Sequence, residues 1–590
     1  MITKSIKKYM VKGLLCCGAA AALASCNDFL TIYPTDRIVG EDFWKTKADV
    51  EQMVDGCYLS MISYNIQERL IMWGGYRSDE LVKLQDYNDN TLDNISAVNL
   101  LPTNRYATWD SFYNVINSCN IVLNHAADVM AEDPEFTEGD YQVVRAQMLA
   151  LRSLCYFYLV RAFRDVPYVT RSYEDDSQIE PMEQNAPEVV LEHCLNDLEE
   201  ARQYIMRTGS YGRNDWRNWG YMTRDAVHAL MADIYLWRAS MNHSASDYQQ
   251  AIALTDSVIN AKDAYYKLYQ EREVTAKEED RYHLIDGDKA LNSIFSSGNS
   301  RESILELQYN GRNNSNQALE NYYYQSGNEN SYRSTSILMA SQLFSTVATN
   351  ANTSESKKFY CSKNDYRFWN NVYEANNEEA QQLSIRKMVD DGGSTVEVTS
   401  NVGPRKSNSR QFKEFQQNWI VYRLTDIMLM QAEALVETAA SDSDIVTLKK
   451  AFDLVQAVNK RSIKKNSTDT LKFDAFQTKD GMELLVMNER ERELCFEGKR
   501  WFDLMRFCYR HMEGVNGRQR LADTESWPAL YKPMLLQIVR KYVDSGGDAI
   551  SYKMKTEPYL YWPIQESELK VNNLLKQNPV FIQEKSTSKN

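Results

Sequence analysis

The sequence predicts a mainly α fold in which tetratricopeptide-like helical pairs form a scaffold and a loop-rich insertion carries short strands. Three observations lead there. Apolar residues recur at helical spacing on both sides of the chain's middle, and Ala226, Ala229, Ala232 and Ala251 are small enough to let helices approach closely. From about 265 to 417 that periodicity fades while Asn, Ser, Gln and Tyr accumulate. No Pro/Gly/Ser-rich linker divides the 590 residues, so one large domain or two intimately packed lobes fits better than separate modules.

At the start, Lys4, Lys7, Lys8 and Lys12 precede an apolar run from Gly13 to Ala24, which reads as an export signal over residues 1–25, not as a membrane span. The run ends in Leu23-Ala-Ser-Cys26, the form of a bacterial lipobox. Cys26 is then the lipidated first residue of the mature chain, and an ordinary signal peptide with a chance cysteine is the blander alternative. Each buried methylene of an acyl chain such as palmitate contributes about 0.8 kcal/mol, so a multiply acylated cysteine anchors the body without spanning the membrane. Residues 26–40 read as the tether: they lack periodicity and include Pro34.

The formal charge is -14, from 67 basic and 81 acidic residues. Removing the four signal-peptide lysines leaves 63 minus 81, or -18, which argues against nucleic acid as a partner. Seven cysteines remain after Cys16, Cys17 and Cys26, and none forms a Cys-x-x-Cys pair. Cys119, Cys155, Cys194 and Cys495 lie among apolar residues and are expected as buried thiols.

In the region 41–264, Phe43, Val50, Met53, Val54 and Tyr58 fall on one side of a helix from Glu41 to Tyr58. The turn Trp73-Gly-Gly-Tyr-Arg-Ser-Asp-Glu80 follows, then a polar loop from Asp86 to Asn99. Further helices are expected over Trp109 to Met130, Tyr141 to Phe163, Pro187 to Met206, Thr223 to Ala239 and Tyr248 to Ala261. They pair at tetratricopeptide-like spacing but without a clean repeat. Residues 265–417 form the insertion, with extended runs at Ser303 to Tyr309 and Thr395 to Thr399, and such insertions usually carry function.

The region 418–590 completes the scaffold. Asn418 to Leu435 with Leu448 to Arg461 reads as a fourth helical pair. After it, Leu484, Leu485, Leu494 and Phe496 make one apolar helical face among Glu489, Arg490, Glu491, Arg492, Glu493 and Glu497. Gly498 suits a left-handed cap, and Arg500 to Tyr509 restarts a helix in which Asp503 precedes Arg506 by three. Glu493, Glu497 and Arg500 could form an acid/base site. A satisfied ion network between packed helices is the better account.

The six histidines form no His-x-x-x-His pair, and no Gly-x-Ser-x-Gly elbow or phosphate loop exists. No cofactor is expected, although a structural calcium ion stays open. Two carboxylates suffice for a glycosidase, yet binding is the better-supported activity. Tyr87, Trp216, Trp219, Tyr322, Tyr323, Tyr324, Tyr332, Trp369 and Tyr373 fall in stretches where core packing does not demand rings. Exposed rings present flat faces to sugar C–H groups, and Asn88, Asn90, Asn321, Asn328 and Asn330 offer partners for hydroxyls. The alternative is that these rings pack the insertion onto the scaffold.

Several stretches resemble the SusD/RagB family of outer-membrane lipoproteins. They are Glu497-Gly-Lys-Arg-Trp-Phe-Asp-Leu504 with its preceding glutamate-arginine pairs, Arg77-Ser-Asp-Glu80, Asp165-Val-Pro167, Tyr422-Arg-Leu-Thr-Asp426 leading to Ala432-Glu-Ala434, and Gln577-Asn-Pro579. Pro563-Ile-Gln565 departs from the usual Pro-Ile-Pro at Gln565. The resemblance implies the SusD-like fold and a protein that is not an enzyme. It implies a lipid-anchored position on the outer membrane facing the exterior, oligosaccharide capture for nutrient uptake, and a SusC-like TonB-dependent transporter as partner. Peptide capture, as in RagB-type members, is the runner-up, and a surface glycoside hydrolase or a pure helical-repeat scaffold ranks lower. Candidate ligand-binding residues are Arg77, Asp79, Tyr87, Asn88, Asn90, Tyr322, Tyr323, Tyr324, Asn330, Tyr332 and Trp369.

Overall fold

The computed structural model describes residues 43–175, 178, 180–269, 281–311, 313–324, 336–345, 359–360, 362–373, 375, 383–389, 415–511 and 557–582. The export signal, Cys26, Asn328, Asn330, Tyr332 and the run from Thr395 to Thr399 lie outside the described residues.

The body is a stack of helices. Helix α1 (Lys47–Met61) opens at Thr46, whose side chain and that of Asp49 cap each other's backbone amides. Helix α2 (Tyr64–Ile71) follows and unwinds into a wider π turn at Met72–Tyr76. The strand β1 (Leu81–Lys83) and helix α3 (Asn90–Ser96) lead to α4 (Asp110–Glu132), α5 (Glu138–Phe163), α6 (Pro187–Tyr204), α7 (Arg224–Asn242) and α8 (Ala245–Tyr269). Neighbours in sequence pack as neighbours in space, α4 on α5, α5 on α6, α6 on α7 and α7 on α8. Helix α1 lies against α4.

The local signals explain these boundaries. Thr137 and Asp140 form a second reciprocal cap on α5, Pro187 occupies the first turn of α6 where its missing N–H costs nothing, and Thr223 caps α7. Helix α5 is long and apolar enough to cross a membrane, but 89% of its apolar stretch is buried by the other helices, so it is the core helix of the stack.

The insertion is woven into this body. Strand β2 (Ser303–Leu307) pairs antiparallel with β4 (Trp419–Arg423), and β3 (Leu338–Ala340) pairs antiparallel with β1, Val82 opposite Met339. Helices α9 (Gln317–Tyr323) and α10 (Tyr366–Asn370) sit between them in sequence. After β4 come α11 (Leu424–Thr438), α12 (Ile445–Ser462), α13 (Lys479–Leu494), α14 (Arg500–Arg510) and α15 (Glu566–Val571). Helix α11 packs on α8, α12 and α13, joining the two halves of the scaffold.

Four expectations change. Trp419 to Arg423 is strand rather than the start of a helix, because its aromatic and β-branched residues are buried on both faces against β2. The polar loop contains α3: the Asp89 carboxylate accepts from the Thr91 and Leu92 amides and so starts a helix that buries Leu92 and Ile95. Helix α8 runs past residue 264 to Tyr269. Helix α13 stops at Leu494, so Phe496 leaves the expected apolar face and takes a left-handed φ of 64°, while Leu484 is 40% exposed. Gly498, with φ 67°, keeps its expected role.

Candidate functional site

The glutamate-arginine stretch is a buried ion seam. Arg423 donates to Glu493 at 2.6 Å and to Glu497 at 2.8 Å, and Arg367 reaches Glu489 and Glu493 at 2.7 and 3.1 Å. Arg490 bridges Asp426 and Asp503, and Arg506 holds Glu433 through two bonds of 2.8 Å. Burial pushes the Asp426 carboxyl up, but Lys499 and Arg490 outweigh it and hold it down at about 2. Likewise burial opposes ionisation of Glu493, and Arg461, Arg423 and Arg367 carry its carboxyl well below the ordinary range. These acids are committed to cations between packed helices, as the sequence implied.

The Arg77 to Glu80 turn belongs to the same interior. Arg500 donates to both Asp79 oxygens at 2.8 and 2.9 Å, and the Phe496 amide donates to Glu80 at 2.8 Å. Arg77 donates to the Leu560 carbonyl at 2.7 Å and lies 4.2 Å over the Trp501 ring. Burial lowers its pKa to about 9. Arg77 and Asp79 are therefore not placed to touch a ligand: they fix the start of β1.

The aromatic cluster of α9 is also corrected. Tyr322 and Tyr323 are buried, the Tyr322 hydroxyl donating to Glu68 and lying 3.0 Å from that of Tyr106. The Tyr323 hydroxyl donates to the Phe496 carbonyl, and Tyr324 packs edge-on to Phe415 at 5.1 Å. Trp369 is buried and donates its ring N–H to the Lys363 carbonyl at 2.9 Å. These rings dock the insertion onto the scaffold, because helical spacing turns the apolar side of α9 inward. Tyr373 and Trp219 are buried as well, whereas Trp216 is 47% exposed.

A strip of groups linked by hydrogen bonds runs from the Tyr87 loop to Tyr64. Lys83 donates to the Tyr87 carbonyl at 2.7 Å and pairs with Asp93 at 2.8 Å, while Arg105 holds Asp89 at 2.7 Å. Between these anchors Tyr87, Asn88 and Asn90 are exposed. The Leu84 amide bonds the Ile337 carbonyl, the Ile337 amide bonds the Asn321 carbonyl, and the Asn321 side chain reaches the Tyr64 hydroxyl at 3.3 Å. Tyr64 in turn lines a pocket of about 210 Å³ with Gln67, Tyr309, Asn313, Asn314 and Gln317.

This pocket has an open donor at its floor. Gln67 is 1% exposed; its carbonyl oxygen accepts from the Tyr309 hydroxyl at 2.9 Å, but its side-chain N–H group has no partner among the described residues. A buried, unsatisfied donor is costly in a folded protein and is relieved by an acceptor brought from outside. The sequence reading missed Gln67 because it sits in a helix, and missed Asn313 and Asn314 although the run Asn310-Gly-Arg-Asn-Asn-Ser-Asn-Gln317 is an amide-rich signal.

Comparison with known proteins follows the same lines. A family model described as "SusD family" matches residues 236–581, and one described as "Starch-binding associating with outer membrane" matches residues 29–236. SusD-like protein P38 of Formosa agariphila is 23% identical over 540 residues, 87% of this chain and 94% of that protein. SusD-like protein P2 of the same organism is 22% identical over 516 residues, 85% and 91% of the two chains. A SusD superfamily crystal structure from Bacteroides thetaiotaomicron superimposes with a TM-score of 0.60 at 20% identity, covering 91% of this chain and 99% of that one. One from Bacteroides fragilis gives 0.62 at 18% identity, with 91% and 99% coverage.

Proposed function

The chain belongs to the SusD family of surface nutrient-binding proteins, and from that premise we propose that it is a cell-surface lipoprotein that captures oligosaccharides and hands them to a SusC-like TonB-dependent transporter. Cys26 is the lipidated residue in this reading, the body faces the exterior, and the protein binds without catalysing a reaction. The observation that carries it is the strip from the Gln67 pocket to Tyr87. Amide donors and acceptors on Asn313, Asn314 and Gln317, with the free donor of Gln67, match sugar hydroxyls, and the exposed Tyr87 ring offers a face for a pyranose.

Affinity electrophoresis through a panel of plant and host polysaccharides tests it. Retardation by at least one glycan, weakened by Tyr87→Ala and by Asn314→Ala without a change in melting temperature, is the expected result. Equal mobility in every gel would overturn it.

Peptide capture has one observation of its own. Among the described residues the strip is richer in amides than in exposed rings, and amides also pair with peptide backbone. Titration calorimetry with a mixed oligopeptide pool separates the readings: heat from peptides and none from glycans would select the peptide.

A further inference from the structure

Trp216 belongs neither to the core nor to the strip. Among the described tryptophans it alone is exposed, yet its loop is firmly held. The buried Asn218 side chain donates to the Gly212 and Asp215 carbonyls at 2.6 and 3.0 Å and accepts from the Gly209 amide at 2.7 Å. Arg217 forks onto the two Asp215 oxygens at 3.0 and 2.7 Å. The Trp216 ring stands nearly perpendicular to that of Tyr221 at 5.3 Å, and Tyr221 stacks on Tyr58 of α1 at 4.4 Å. Gly220 leaves room for it, since a Cβ there would lie 2.7 Å from the Trp216 ring. An apolar face in water whose orientation is already fixed offers a sugar ring a stacking surface at little ordering cost.

Two lines of contact join this ring to the Gln67 pocket. Along α1, Ile62 follows Tyr58 by one turn, a rise of about 6 Å on the same side. Tyr58 meets the Trp216 cluster through Tyr221, and Ile62 lines the pocket. From the insertion, the Gln308 side chain lies 2.6 Å from the same Cβ position on Gly220, so Trp216 and Gln308 meet over the glycine, and the next residue, Tyr309, lines the pocket. At about 210 Å³ the pocket is smaller than the roughly 300–1,000 Å³ that encloses a whole small-molecule ligand, so an oligosaccharide of several units must extend beyond it. We propose that Trp216 is a second stacking subsite, taking the outer units of a longer oligosaccharide whose inner units fill the Gln67 pocket, with Asp215 and the half-exposed Arg217 as hydroxyl partners at its rim. This rests on the oligosaccharide-capture reading above and adds a chain-length preference to it.

Titration calorimetry with oligosaccharides of one glycan, from disaccharide to heptasaccharide, tests the subsite; the probes are hydrolysates of amylopectin, xyloglucan, arabinoxylan and pectin, of which the one that retards the protein in gels is used for the variants. Trp216→Ala is expected to weaken heptasaccharide binding about tenfold, leave disaccharide binding unchanged and keep the melting temperature. Trp216→Phe should restore most of the loss, because a ring is kept. Asn314→Ala, in the pocket, should weaken both lengths. Should Trp216→Ala melt lower, Arg217→Ala, which removes only the rim, is read by the same split between long and short ligands. A heptasaccharide bound equally well by Trp216→Ala and by the unaltered protein, while Asn314→Ala still weakens binding, would overturn the subsite and leave the capture reading standing. An equal loss at both lengths in Trp216→Ala would overturn it too, since the ring would then act through the pocket. Absence of binding to every glycan would overturn both.

Discussion

Arg500 grips Asp79 with two hydrogen bonds across 421 residues of sequence, at 2.8 and 2.9 Å, with both side chains buried. The pair joins the first turn of α14 to the turn that launches β1 and the Tyr87 loop. Asp79→Ala leaves the buried guanidinium with only Glu491 and the Met487 carbonyl beside it, and a loss of roughly 3–5 kcal/mol is expected in chemical denaturation. Burial pushes the Glu491 carboxyl up to about 8, so it is largely uncharged at neutral pH. The double change Asp79→Leu/Arg500→Met should consequently be less damaging than Asp79→Ala. A double variant worse than the single one would refute this account.

Gln67 separates binding from stability. Gln67→Leu removes an unpartnered buried donor, so the melting temperature should hold or rise, while affinity for the captured ligand should fall about tenfold. Calorimetry and thermal unfolding on the same sample check both halves. A destabilised variant with full affinity would remove Gln67 from the site.

Backbone packing is the third point of sensitivity. A Cβ at Gly74 would sit 1.8 Å from the Gly498 carbonyl oxygen, and one at Gly498 would meet the Leu70 carbonyl at 2.7 Å on a residue already at φ 67°. No side chain can yield at the first contact because both partners are main chain. Gly74→Ala is expected to abolish soluble expression or cost more than about 4 kcal/mol, and Gly498→Ala to cost at least about 2 kcal/mol. Circular dichroism melts decide the order.

Acid should unfold the seam. Asp426 is held at about 2 against an ordinary 3.8, and Glu433, Glu489, Glu493 and Glu497 are lowered too, in each case by cations that outweigh burial. Groups depressed in the fold contribute stability above their unfolded pKa and lose it as pH drops through the folded one. Asp426 alone accounts for about 2 kcal/mol. The melting temperature should therefore fall steeply between about pH 4 and pH 2. Asp426→Asn should flatten that part of the profile, as read by melts in a pH series.

Much of the scaffold was legible because its signals are local. Helical spacing located α1, α4 to α8 and α12 to α14, and the charge pairs of α13 announced the ion seam. Trp419 to Arg423 misled because a strand buried on both faces has the same continuous apolar run as a core helix. The site was half legible. Tyr87, Asn88 and Asn90 are exposed as expected, but the rings from Tyr322 to Tyr324 face inward, since polar neighbours in sequence do not reveal which side of a short helix meets the core. Gln67 could not be read from sequence, because only the fold shows Tyr309 occupying its oxygen and no described residue its nitrogen.

The bond between Asn321 and Tyr64, with the ribbon of β1 and β3 beside it, has a practical corollary. On the proposed reading, recognition is shared property: neither the first helices nor the insertion owns enough of the strip to work when cut out. A fragment spanning only the insertion would arrive without its floor, so any attempt to graft this specificity onto another carrier must move both halves and the joint between them.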